Sequence, residues 1–175
     1  MEVYKFSLIN HFKVSEWHLT STIILIIGWA IIFGFDASST KFLLIFWLIV
    51  SAPSFYLHAE YYFVNRNSKL TIYENVLSFE SSKQVIKCNV NEISKVVFLQ
   101  SKNARLKRMR WLAQESYSYA NFIGRSGESF VVTNLMAPKF EKILDHFEST
   151  QIERQNAYYS SVFHPVVIPK SWNLE

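Results

Sequence analysis

Residues 61–79 read YYFVNRNSKLTIYENVLSF, and the hydrophobic pattern of the chain changes within this stretch. Upstream of Arg66 the chain consists largely of long apolar and aromatic runs, and from Lys69 onward short apolar runs alternate with polar residues. Long uncharged runs are typical of membrane helices, whereas alternation with a period of two is typical of β-strands. We therefore expect a helical part before this stretch and a β-rich part after it.

Two apolar runs precede the boundary. The first, LTSTIILIIGWAIIFGF (19–35), has no charged residue, and the second, FLLIFWLIVSAPSFYL (42–57), continues through aromatic residues to Phe63. A helix of 17 residues is about 25 Å long, close to the thickness of a hydrocarbon core. The link FDASSTK (35–41) is long enough only for a turn, so the runs predict a transmembrane helical hairpin. A signal peptide and a buried hairpin in a soluble protein are the alternatives.

Lysine and arginine near the ends of these runs predict the orientation of the hairpin. Lys5 and Lys13 precede the first run, and Arg66 and Lys69 follow the second, whereas the turn has only Lys41. Because cytoplasmic flanks carry the excess of basic residues, both termini should face the cytoplasm. In a bacterium the protein would then lie in the inner membrane. The single cysteine, Cys88, fits a reducing compartment and excludes an intramolecular disulfide.

Three residues in the second run are intramembrane polar candidates. Pro53 would free a backbone carbonyl and kink the helix, which by default affects only its shape. His58 and Glu60 lie near the cytoplasmic end, among tyrosines, where they would act as anchors at headgroup level. A proton or ion role is the alternative, because ionisable side chains inside membranes are commonly functional.

Short alternating runs in the second half predict a meander-type antiparallel sheet of six or seven strands. The expected strands are 70–73, 76–80, 84–90, 92–100, 115–125 and 129–136, and WLAQ (111–114) would begin or form another. The period then changes to that of a helix over about 138–149. Its apolar positions form one stripe that should pack on the open end of the sheet, namely Phe140, Ile143, Leu144 and Phe147.

This order of short strands followed by an amphipathic helix resembles the pleckstrin-homology (PH)-like fold. With a membrane hairpin upstream, the chain resembles the bacterial PH-like membrane proteins in particular. The resemblance rests on apolar spacing in 61–79, 86–100 and 124–149. It implies an α+β membrane protein, in which the two-helix hairpin is followed by an antiparallel β-sandwich or barrel capped by the C-terminal helix. It also implies a binding or scaffolding module.

The expected organisation has four parts. They are an N-terminal cytoplasmic segment (1–16), a transmembrane hairpin (17–63, with spans about 19–35 and 42–60), a PH-like cytoplasmic domain (66–149) and a C-terminal tail (150–175). In phosphoinositide-binding members of the broader superfamily, cations cluster around the first hairpin of the sheet. The corresponding turn here, Glu74-Asn75, carries no cation.

Two terminal segments allow more than one structure. The alternation in residues 3–14 favours a strand, which could lie at the membrane surface or pair with the downstream sheet. The tail, 150–175, is either disordered or docked on the sheet or a partner, because YYSSVFHPVVIP (158–169) is apolar for a solvated end.

A basic segment around RLKRMRW (105–111) supplies the charge excess of the β-rich part. Residues 66–148 contain 13 Lys/Arg and 8 Asp/Glu, and the segment accounts for the difference. Its members are Lys102, Arg105, Lys107, Arg108, Arg110 and Trp111. The segment could be a solvated loop that blocks edge pairing, a patch facing anionic headgroups with Trp111 at the interface, or a protein-binding surface. Next to a membrane hairpin, nucleic acid is not the expected partner.

We find no sequence motif for catalysis, nucleotide binding or metal binding, and five scattered histidines show no ligand spacing. We therefore expect no enzymatic activity and no cofactor. The favoured hypothesis is an integral membrane protein whose PH-like domain binds anionic lipid, a protein partner or a second copy. The alternative is a small membrane subunit or inhibitor that acts on transport or permeability through the hairpin.

Overall fold

The computed structural model describes residues 1–106 and 112–167 and has an α+β architecture. Two long helices are followed by two β-sheets. In chain order the elements are β1 (Glu2–Lys5), α1 (Leu8–Phe33), α2 (Ala37–Asn65), β2 (Lys69–Tyr73), β3 (Val76–Glu80), β4 (Val85–Asn89), β5 (Ile93–Gln100), α3 (Lys102–Arg105), β6 (Tyr119–Gly124), β7 (Ser129–Thr133), α4 (Phe140–Leu144), β8 (Ile152–Tyr159) and β9 (Val166–Val167).

Both predicted apolar runs lie in helices, and local signals set where the helices begin and end. The Ser7 side chain caps α1 by accepting a hydrogen bond from the backbone N–H of Asn10. Asp36 caps α2 by accepting hydrogen bonds from the N–H groups of Ser38 and Ser39. Between them Gly34 ends α1 with a positive φ of 67°, a conformation that glycine adopts without steric cost. The hairpin turn is therefore only three residues long.

The two helices leave most of their apolar surface uncovered. Ile31 on α1 and Ile49 on α2 are 79% and 69% exposed, and many other large apolar side chains of the two helices are exposed as well. Contacts between the helices include a hydrogen bond from the Trp47 indole N–H to the Thr22 hydroxyl at 3.0 Å and the stacking of Trp29 on Phe42. Both helices are long enough and apolar enough to span a membrane.

The first sheet has the strand order β1-β2-β3-β4 and is antiparallel throughout. Residues 2–5 pair with β2 in the register Tyr4 opposite Leu70, so the helical hairpin connects the first two strands of this sheet. The prediction of a strand over 3–14 is wrong beyond Lys5, because the Ser7 cap starts a helix there. The Glu74-Asn75 turn joins β2 to β3, so it is the first tight turn of the sheet and its second strand connection.

The second sheet has the strand order β7-β6-β5-β8-β9. Strands β5, β6 and β7 form the predicted antiparallel meander, and β8 pairs with β5 in parallel, with Val96 opposite Ile152. All of β8 and β9 comes from the segment for which disorder and docking were both open. Docking is therefore the outcome for 150–167. The WLAQ strand is not formed over its described part, since residues 113–116 make a 3₁₀ turn.

The main core lies between the two sheets and α4. Phe130 of β7 stacks on Phe122 of β6 and on Phe79 of β3, with ring centroids 4.9 and 4.5 Å apart. All four stripe positions predicted for the C-terminal helix are buried in this core. The helix itself is shorter than predicted, since α4 ends at Leu144 and hydrogen bonds of 3₁₀ type then turn Phe147 inward onto Phe122. This tight turn leaves room for the chain to reverse into β8.

Candidate functional site

The last four turns of α2 are part of the folded domain as well as of the hairpin. One face of the helix is buried at intervals of three or four residues, which is the spacing of a single helical face. Its buried members are Ser51, Ser54, Leu57, Tyr61 and Asn65. Leu57 and Tyr61 share a second core with Val14 of α1 and with apolar side chains of the second sheet. The helices and the domain are therefore in direct contact, without an intervening linker.

Asn65 joins α2 to the edge of the second sheet. Its side-chain N–H donates to the Val131 carbonyl at 2.9 Å, and its Oδ1 accepts from the Thr133 N–H at 2.7 Å. The amide thus pairs with β7 as a neighbouring strand would. Because Asn65 is fully buried, these hydrogen bonds fix the position and rotation of α2 against the sheet.

His58 lies in a polar cluster where α1, α2 and the second sheet meet. Its Nε2 is 2.5 Å from Nδ1 of His11 on α1, and its Nδ1 is 2.9 Å from the Tyr117 hydroxyl. Phe6 packs edge-on against the His11 ring at 4.3 Å. Burial raises the pKa of Tyr117, so its hydroxyl stays protonated and can donate to His58.

Glu60 is buried and holds the segment just after β8 against α2. Its Oε1 accepts hydrogen bonds from the Ser161 hydroxyl at 2.9 Å and from the Phe163 N–H at 2.8 Å. Its neighbour Tyr61 donates to the Ser160 carbonyl at 2.5 Å. Oε2 of Glu60 has no hydrogen-bond partner among the described residues. Glu60 is 5% exposed, so its carboxylate is enclosed by protein, and its anchoring at headgroup level stays a prediction.

A groove of about 660 Å³ opens at the C-terminal end of α2. It lies between this helix end, the β3–β4 turn, the start of β7 and residues 162–163. Arg66 and Lys83 supply positive charge, Ser81 and Ser82 supply hydroxyl groups, and Phe63 and Phe163 line it with largely exposed rings. We call it the Arg66–Lys83 groove. Its contents suit a ligand with an anionic group beside an apolar part.

The polar walls of the groove are held by hydrogen bonds. The Gln84 side chain donates to the Ser129 carbonyl at 3.1 Å, which ties the β3–β4 turn to β7. The Arg66 guanidinium lies over the rings of Tyr62 and Phe63, 5.9 and 5.3 Å from their centroids. Among the described residues, no carboxylate lies within salt-bridge distance of Arg66 or Lys83. Both cations are therefore available to an anion.

The structure separates the sequence-predicted site residues. His58 and Glu60 both lie where the hairpin enters the domain, and α2 continues unbroken through Pro53. Lys102 and Arg105 lie on α3, where Arg105 donates to the Asn156 side chain at 3.4 Å. Lys107, Arg108, Arg110 and Trp111 lie outside the described residues. In residues 1–106 and 112–167, no group of three or more His, Cys, Asp or Glu residues could hold a metal ion.

Sequence reasoning missed Asn65, His11 and the groove. Their partners are distant in sequence: Asn65 bonds Thr133, and His11 faces His58. For the groove, the sequence offered one signal, which was the positive charge of Arg66 directly after an apolar run. Lys83 belongs to a turn that was predicted only as a strand connection.

Residues 3–143 match the family model described as a PH domain. The match covers well over half of the chain. The chain belongs to the PH-domain family. The PH-domain match begins in β1 and ends in α4, so it includes the helical hairpin between the first two strands and stops before β8. No curated protein matches the chain.

Replacing Glu60 by alanine should release the segment just after β8 from α2. The change removes the acceptor of two hydrogen bonds, and bonds to a charged group are worth about 1.5–3 kcal/mol each. We expect hydrogen exchange of amides 160–164 to accelerate by about tenfold to a hundredfold, since 1.4 kcal/mol corresponds to tenfold. Glu80→Ala, at an exposed position on β3, is the control. Unchanged exchange in E60A would contradict this role of Glu60.

Proposed function

We propose that this protein is a non-enzymatic, membrane-anchored PH domain that binds the headgroup of an anionic lipid. In this proposal the hairpin spans the membrane, both termini are cytoplasmic, and the domain lies against the cytoplasmic leaflet. Lipid contact in the Arg66–Lys83 groove orients the domain, which then serves as a binding or scaffolding surface. The PH-domain family membership supports the module, and the uncovered apolar surface of both helices supports the anchor.

The exposed apolar side chains of α1 and α2 support membrane insertion. A soluble protein rarely exposes an apolar patch of more than a few hundred square ångströms. Here the large apolar residues of two 26- and 29-residue helices face outward over most of their length. A hydrocarbon environment would cover this surface, and helices satisfy their own backbone hydrogen bonds there.

The lipid assignment rests on one observation, namely the position of Arg66 and Lys83 in the groove at the C-terminal end of α2. Arg66 directly follows the part of α2 that the domain covers, and it shares the groove with Lys83. Because the two cations line one groove, they can bind a single anionic headgroup together. The exposed rings of Phe63 and Phe163 beside it suit the apolar part of a lipid.

Native mass spectrometry of the full-length protein in non-ionic detergent would test the proposal. The wild type should retain phosphatidylglycerol in preference to phosphatidylcholine. Each cation near an anionic headgroup is worth roughly 1 kcal/mol, so Arg66→Gln with Lys83→Gln should weaken phosphatidylglycerol binding by about 30-fold. The control, Lys87→Gln with Arg125→Gln, removes the same charge from exposed positions outside the groove and should leave binding unchanged.

A third variant distinguishes the groove from the basic segment. It neutralises Lys102, Arg105, Lys107, Arg108 and Arg110 together. If this variant alone loses phosphatidylglycerol, the lipid contact belongs to the basic segment and the assignment to the groove is wrong. If the wild type shows no preference for the anionic lipid even at low salt, where electrostatic attraction is strongest, the lipid function itself is wrong.

A further inference from the structure

The hydrogen-bonded row His11, His58 and Tyr117 connects three parts of the chain. His11 belongs to the second turn of α1, His58 to α2, and Tyr117 to the segment just before β6. The two imidazole rings are half-buried, with centroids 4.5 Å apart, and face each other through single nitrogen atoms. We call these two rings the histidine pair. It lies where α1 leaves the domain and enters the hairpin.

The number of protons on the pair decides whether this contact can exist. With Tyr117 donating to Nδ1 of His58, Nε2 of His58 carries the hydrogen and donates to Nδ1 of His11. One added proton is tolerated, because a charged ring can still donate to a neutral one. When both rings are charged, each directs an N–H at the other, no acceptor remains between them, and two like charges lie in contact.

The surroundings offer little to compensate a second charge. The titratable groups that face the pair are Tyr117 from the segment before β6, Tyr62 from α2 and His18 from α1. Phe6 covers the outer side of His11. Among the described residues, no carboxylate forms a hydrogen bond or ion pair with either ring of the pair. Glu60 is on the same helix, but its hydrogen bonds go to Ser161 and Phe163.

We propose that the histidine pair is an acid-sensitive clasp, which fastens the base of α1 to α2 and to the Tyr117 segment at neutral pH and opens when both rings are protonated. The clasped state excludes the second proton, so it binds fewer protons than the open state. Its stability therefore falls as the pH falls below the usual histidine range near 6.5. This regulation is independent of lipid binding in the groove. It would link the acidity at the membrane surface to the attachment of the domain.

Hydrogen exchange of the full-length protein in lipid nanodiscs tests the clasp. Where the open state binds one proton more than the clasped state, the ratio of clasped to open molecules should fall by about tenfold for each pH unit of acidification. Between pH 7.5 and pH 5 we expect exchange at 8–14 and 113–118 to rise by about tenfold or more, after correction for the intrinsic rate. The double variant H11Q/H58Q keeps polar side chains that do not titrate and should show no such rise. His164→Gln, an exposed control, should respond as the wild type does.

Two results would overturn the clasp. One is an unchanged wild-type exchange pattern between the two pH values, and the other is a double variant that responds as strongly as the wild type. Should H11Q/H58Q fail to fold, ¹⁵N NMR of the histidine side chains in the wild type decides the question without a variant. The clasp requires that the two rings titrate as a coupled pair. The second proton must then bind at a pH well below that at which the first binds. Independent titration of both rings near pH 6.5 would exclude it.

Discussion

Replacing Phe122 by alanine is expected to lower the free energy of unfolding by about 3–5 kcal/mol. Phe122 is fully buried, stacks on Phe130 with planes 5° apart, and contacts Phe147 at 5.6 Å. Removing its ring leaves a cavity between the second sheet and the turn that follows α4. For a domain of this size the loss should lower the midpoint of thermal unfolding by roughly 10 °C.

Tyr73→Ala is the matched control for this prediction. Tyr73 is also an aromatic residue on a strand, but it is 53% exposed on the outer face of the first sheet. Surface changes of this kind are usually within about 0.5 kcal/mol. Thermal unfolding of the purified full-length proteins in detergent, followed by near-ultraviolet circular dichroism, compares the two. Equal midpoints for F122A and Y73A would show that Phe122 is not in the core.

The second large effect is expected at Asn65, where a single amide holds α2 to the sheet. Asn65→Ala leaves the Thr133 N–H and the Val131 carbonyl without their partner. An unsatisfied buried polar group costs about 1–3 kcal/mol, so the variant should lose roughly 2–4 kcal/mol of stability. The effect should be local as well, because the Thr133 N–H becomes free to exchange with solvent.

Residue-resolved hydrogen exchange at Thr133 provides the direct measurement for Asn65. The exchange rate should rise by at least about tenfold, corresponding to the loss of 1.4 kcal/mol or more. Asn67→Ala, an exposed asparagine two residues further along the chain, should leave both this rate and the unfolding midpoint unchanged. A protected Thr133 N–H in N65A would mean that another group satisfies it and that Asn65 does not dock the helix.

The elements that rest on local patterns were predictable from the sequence. Long uncharged runs predicted α1 and α2. A helix with no polar face is stable mainly in a membrane or in a protein core, so such runs have few alternatives. Alternation predicted β2, β3 and β5 to within a residue or two, and the Phe140 stripe predicted burial in the core. In these cases the side chains that decide the structure are neighbours in the sequence.

Pairings between distant segments were not predictable. Strand β1 is four residues long, and only its partner β2, more than sixty residues away, selects it over a continued helix. Strand β8 pairs in parallel with β5 across a similar gap. Neither partner can be chosen from apolar spacing alone, since several strands carry equivalent patterns.

In the candidate site, too, local features were predictable from the sequence and contacts between distant residues were not. His58 and Glu60 were recognisable because ionisable residues are rare in an apolar run, but their roles depend on His11, Tyr117 and Ser161. These partners lie 47 to 101 residues away and carry no motif. Without these partners, an anchor at headgroup level was the reasonable expectation. The structure adds the contacts that fasten the helix to the domain.

The insertion of the hairpin between β1 and β2 sets an order of events during biosynthesis. A ribosome completes β1 first, then both helices, and only afterwards β2, against which β1 must align. If the hairpin spans the membrane as we propose, the first sheet cannot close until the chain has entered the bilayer and returned to the side on which it started. A molecule whose hairpin failed to return would leave the β2 edge open, and quality-control proteases could recognise it by that exposed edge.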